Sequence, residues 1–105
     1  MQVTGVNRQE KKIETMADIL AQLHHGTNKL SLKGALRMGI KGALAKQGFN
    51  NWKEIADKPI ATKRQFFNCL LDESMNHLLR MGFPKELEKD ARVVLTKQND
   101  KFLRS

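Results

Sequence analysis

Asn51-Trp52-Lys53-Glu54-Ile55-Ala56-Asp57-Lys58-Pro59-Ile60-Ala61-Thr62-Lys63-Arg64-Gln65-Phe66-Phe67-Asn68-Cys69-Leu70-Leu71 reads as a short helix, a tight break and the start of a long amphipathic helix. Asn51 with Glu54, and Thr62 with Gln65, have capping-box spacing, in which a cap and its third residue exchange bonds to otherwise orphaned N–H groups. The short helix is expected from Trp52 to Asp57 and the long one from Lys63 to about Met81. Pro59 ends the first because the residue before a proline is driven out of the helical region. Along the long helix Phe67, Leu70, Leu71, Ser74, Met75, Leu78 and Leu79 recur at three-four spacing with Phe66 on the flank, the pattern of a central core helix. Asp72, Glu73, Asn76, His77 and Arg80 fall between them and are expected to face water.

Working back from this stretch, Ser31 is the expected cap of a helix running to about Gln47 and stopped by Gly48 and Phe49. Leu32, Leu36, Ile40 and Leu44 make an apolar stripe on it, and Lys29, Lys33, Arg37 and Lys41 make a basic ridge beside it. Gly34, Gly39 and Gly42 each cost about 1 kcal/mol against alanine inside a helix, which implies close approach of a neighbouring helix or of a ligand. An earlier helix opens at Asn7 with Glu10, buries Ile13, Met16, Ala17, Leu20 and Leu23, and stops at Gly26; residues 1–6 read as a loose arm. Toward the other end, Gly82 and Phe83 form a stop and Pro84 opens a last helix with Leu87, Ala91, Val94 and Leu95 inward. Residues 99–105 read as a frayed tail unless Phe102 docks.

The fold expected is all-α: a single domain over residues 1–105 of about five helices, with a helix-turn-helix-like corner and one long central helix. Two short resemblances go no further than their residues. Gly39-Ile40-Lys41-Gly42 is similar to the GxxG loop of KH domains, yet no period-two segment supplies that fold's strands. Met81-Gly82-Phe83-Pro84 resembles the loop of ubiquitin-associated domains, but too little chain follows for their third helix.

Charge points to the class of partner. The formal net charge is +8, from 19 Lys and Arg against 11 Asp and Glu in 105 residues. An excess of that size on one small domain suits phosphates or an acidic surface. With no apolar run near the roughly 20 residues that span a bilayer, and no signal-peptide core, a soluble cytoplasmic protein is expected, without a membrane partner. Cys69 is the lone cysteine, so neither a disulfide framework nor a thiolate metal site is expected. His24, His25 and His77 have no ligand at a recognised metal spacing, and no phosphate loop or nucleophile elbow is present, so neither enzyme nor cofactor is expected.

The favoured function is nucleic-acid binding, DNA ahead of RNA, by a regulator using the corner. Lys63 and Arg64 are expected in the first turn of the long helix, where the helix dipole disfavours cations by about 0.3–1 kcal/mol. In a helix-turn-helix such residues meet the major groove. Gln65 and Asn68 would read base edges, Arg64 guanine or phosphate, and Lys53, Lys58 and Lys63 phosphates, with the ridge of Lys29, Lys33, Arg37 and Lys41 as a second contact. Against this, the turn lacks the usual glycine, and the length of the second helix suits a core or homodimer helix. The rival function is a small helical adaptor or inhibitor docking on the acidic surface of a larger protein complex.

Overall fold

Glycine, asparagine and proline set the helix boundaries. The computed structural model describes residues 7–104, over which the chain forms α1 (Asn7–Leu23), α2 (Lys29–Gln47), α3 (Trp52–Ala56), α4 (Ile60–Arg80) and α5 (Glu88–Arg104), with a 3-10 turn at Lys85–Leu87 before α5. No strand occurs among the described residues, so the all-α single domain is what forms. The expected arm over residues 1–6 lies outside the described residues, as does the side chain of Asn7 on which the expected cap rests.

Several boundaries follow the sequence. Gly48 takes φ 79° at the end of α2, and the Phe49 N–H donates to the Leu44 carbonyl at 2.8 Å. Gly82 takes φ 106°, and the Phe83 N–H donates to the Leu78 carbonyl at 3.0 Å. Both are Schellman stops, requiring a left-handed residue that glycine supplies without strain. At α3 the Asn51 Oδ1 accepts the Glu54 N–H at 3.2 Å. The return bond of this box shifts by one residue, because the Glu54 carboxylate accepts the N–H of Asn50, at 3.3 Å.

Three expectations are corrected. The cap of α2 is Asn28, not Ser31: its Oδ1 accepts the N–H groups of Leu30 at 2.7 Å and Ser31 at 3.3 Å. Asparagine caps as well as serine and stands earlier, so it captures the helix start. α4 begins at Ile60 behind Pro59, with no side-chain cap bond, so the Thr62 and Gln65 box does not form. Proline suits that position because its missing N–H would have no helical partner, and its carbonyl accepts the Lys63 N–H at 3.0 Å. The tail is not frayed over residues 99–104: α5 runs to Arg104, with Asn99 and Leu103 buried and the Phe102 ring 6.0 Å from that of Phe67.

The core is built on the pair α2 and α4, which share the most extensive interface. α2 contributes Leu32, Ala35, Leu36, Gly39, Ile40 and Ala43, and α4 contributes Phe66, Phe67, Leu70, Leu71, Met75 and Leu78 around Ser74. α1 packs on α2, and α5 packs on α4 and α1. α2 is continuous through its glycines, and two of them mark the crossing. A Cβ on Gly39 would lie 2.9 Å from both the Cα and the N of Ser74, and one on Gly42 2.6 Å from the Glu73 carboxylate. A Cβ on Gly34 would meet nothing within 4 Å. Helix packing thus accounts for Gly39 and Gly42 and leaves Gly34 with no structural account.

These contacts predict opposite effects of one substitution. Gly39→Ala forces a methyl group into backbone, so it is expected to destabilise by about 1–3 kcal/mol despite better helix propensity. Gly34→Ala adds its methyl in open space and is expected to stabilise by up to about 1 kcal/mol. Urea denaturation of the two variants beside the parent chain measures both.

Candidate functional site

The sequence ridge on α2 meets carboxylates of α1. Lys29 Nζ lies 3.0 Å from Glu14 and 2.6 Å from Asp18, Lys33 Nζ 2.7 Å from Glu14, and Arg37 Nη2 2.8 Å from Glu10. The spacing that places Lys29, Lys33 and Arg37 on one edge of α2 matches Glu10, Glu14 and Asp18 on α1. Lys41, one turn further, is exposed and has no carboxylate in ion-pair reach among the described residues. Hydrogen bonds from Lys33 and Lys29 hold the Glu14 carboxyl down at about 2. The Arg37 guanidinium likewise lowers Glu10, while Asp18, then Glu14, raise Lys29.

At the α3–α4 corner the predicted residues separate onto different faces. Because α4 starts at Ile60, Lys63 and Arg64 follow its first turn, where the dipole penalty fades. Arg64 reaches α5 and pairs with Asp100 at 3.1 Å. Gln65 and Asn68 are exposed, whereas Lys63 is half-buried. Residues two apart on a helix do not share a face, so Lys63 and Gln65 diverge. Lys53 and Lys58 are exposed, with the Lys58 ammonium 5.8 Å from the Phe49 ring centre. On α3 Ile55 is buried and Ala56 is exposed. Ile60, the first residue of α4, is 55% exposed.

Lys63 instead faces a cleft of about 420 Å³ between α1, α3, α4 and α5. Ile55 and Phe67 supply apolar surface to it, Trp52 and Phe102 add aromatic rings, and Lys12, Lys63 and exposed Ala56 complete the lining. The Lys12 ammonium lies 4.8 Å from the Phe102 ring centre and 5.9 Å from that of Trp52. Trp52 is held by edge contacts to Phe66 at 5.6 Å and Phe67 at 6.0 Å. Sequence reasoning named Lys63 but missed this group. The signal was the aromatic content, with Trp52 directly before a predicted phosphate-contact lysine.

The remaining candidates have structural surroundings. His24 Nδ1 is 2.7 Å from the Thr27 hydroxyl, and its ring meets Phe83 edge-on at 6.0 Å. Cys69 is half-buried and packs against the core. Among the described residues no group of three His, Cys, Asp or Glu side chains could hold a metal. No described helix is long and apolar enough to cross a membrane. Comparison with protein-family models, curated proteins and solved structures found no match to this chain.

The α1–α2 ladder makes a pH prediction. The Glu14 pKa lies below its ordinary 4.5, at about 2, in the folded chain. Its contribution to stability is therefore present above pH 4.5 and is lost as pH falls toward 2. Glu14 is solvent-exposed, so the effect is modest and weakened by salt. Glu14→Gln should make the stability profile shallower between those pH values, as read by denaturant midpoints, and 1 M salt should narrow the gap between variant and parent.

Proposed function

We propose that the chain is a small basic nucleic-acid-binding protein, acting on DNA ahead of RNA as a regulator inside the cell. One observation carries this reading. Lys29, Lys33, Arg37, Lys46, Arg64 and Arg92 are held by carboxylates. Lys53, Lys58 and Lys63, on α3, in the turn and on α4, have none in ion-pair reach among the described residues, as is also true of cations elsewhere such as Lys11, Arg80, Lys85, Lys97 and Lys101. Cations without a carboxylate partner are where phosphates bind with least competition. Exposed Gln65 and Asn68 lie on the outer face of α4, where an amide can bond an adenine edge. Arg64 would have to leave Asp100, at little cost because exposed pairs contribute about 0–1 kcal/mol. Lys41 extends the contact, and Lys29, Lys33 and Arg37 could join by leaving their α1 carboxylates, which are exposed pairs of the same kind.

A second reading, docking on an acidic protein surface, draws on α2. Leu30 and Met38 are 74% and 49% exposed, near Arg37 and Lys41, and an apolar-basic helix face suits such a partner.

The affinity of the chain for duplex DNA, followed by anisotropy against salt, tests the first reading. Three phosphate contacts imply a loss of about 40-fold in affinity from 50 to 200 mM salt. Replacing Lys53, Lys58 and Lys63 together by Ala should flatten that slope at an unchanged melting temperature. Salt-independent affinity, or no binding at micromolar protein, overturns the proposal.

A further inference from the structure

We infer that the cleft bounded by Trp52, Phe102 and Lys63 receives one unstacked base of a single-stranded nucleic acid, whose adjoining phosphate meets the Lys63 ammonium. This rests on the nucleic-acid reading and adds the form of the ligand and its seat.

The chemistry of the lining restricts the occupant. Trp52 and Phe102 present aromatic surface above the nearly buried Phe67, the Lys12 ammonium lies over both rings, and the cleft volume of about 420 Å³ lies within the ~300–1,000 Å³ range of small-ligand sites. A wholly apolar occupant would take water from half-buried Lys63 without replacing it, which is unfavourable for an ammonium. A bare phosphate would leave the Trp52 and Phe102 rings to the Lys12 ammonium that lies over them, whereas a base stacks there by moving that ammonium aside toward its phosphate. An occupant with a flat π-face beside a negative charge satisfies both, and a nucleotide has that composition. Base–aromatic stacking with a basic lining is the general chemistry of single-strand binding, and it tolerates any base because each has a π-face. A base paired within a duplex cannot reach such a recess without leaving the stack. The cleft therefore selects single strands, loops or ends, while the exposed Lys53 and Lys58 contact backbone phosphates of either form.

The chain has one tryptophan, so its fluorescence reports the cleft directly. The full chain is titrated at low salt with a short oligothymidylate, with an abasic strand of equal length, and with a duplex. The oligothymidylate should quench Trp52 and bind at least about fivefold more tightly than the abasic strand. Ala56→Phe, which fills the cleft from an exposed position, should remove both the quenching and that preference. If this variant melts early, Lys63→Glu is the second probe and should lose the quenching with the parent melting temperature. Equal binding of all three ligands without a change in Trp52 overturns the base site and leaves the nucleic-acid reading standing. No binding of any ligand overturns both. Quenching by an acidic, aromatic-rich peptide but not by oligothymidylate assigns the cleft to a protein partner and overturns the inference.

Discussion

The backbone of α2 meets α4 at Gly39 and Ser74, and the remaining packing depends on that approach. With a Cβ position only 2.9 Å from the Ser74 backbone, the helices touch where a larger residue would hold them apart. Leu36 and Ile40 of α2 and Leu70, Met75 and Leu78 of α4 are all nearly fully buried in one core cluster. Ser74 pays for its small size with a buried hydroxyl that has no hydrogen-bond partner. α1 and α5 then cover the sides of this pair rather than forming a second core.

Electrostatics sorts the cations by duty. Where α1 supplies carboxylates at matching spacing, the basic edge of α2 becomes a seam between helices. Such exposed pairs contribute little to stability, and they set Lys29, Lys33 and Arg37 against carboxylates of α1. Arg92 is similarly occupied, by Asp72 of α4 at 2.7 Å and by Glu88 at 3.2 Å. The positive charge without a carboxylate partner is thereby left to residues on several helices, among them Lys41, Lys53, Lys63, Lys85 and Lys97.

Features written in neighbouring residues were legible in the sequence. The stops at Gly48 and Gly82, the Asn51 cap and the inward face of α4 each depend on a few consecutive turns. Errors arose where two local signals competed, as Asn28 did with Ser31 and Pro59 did with Thr62. The ridge on α2 was legible as a stripe, but its neutralisation was not, because Glu10, Glu14 and Asp18 belong to another helix. The cleft was least legible: Lys12, Trp52, Lys63 and Phe102 come together only in the folded chain. The helical order of residues 99–104 had the same long-range origin, in the docking of Phe102 and Leu103.

Phe102 makes α5 a movable part of the cleft in a thermodynamic sense. α5 is attached through a narrow apolar edge, Ala91, Leu95 and Leu103, and through exposed ion pairs to α4. A local opening of α5 that left the α2–α4 crossing in place would have to break its packing on both α4 and α1. Opening removes one aromatic wall and exposes Phe67. Any occupant spanning Trp52 and Phe102 is therefore linked to α5 docking and shifts that local equilibrium toward the closed form by mass action. Amide hydrogen exchange along α5 would then slow on binding before any change reached Gly39.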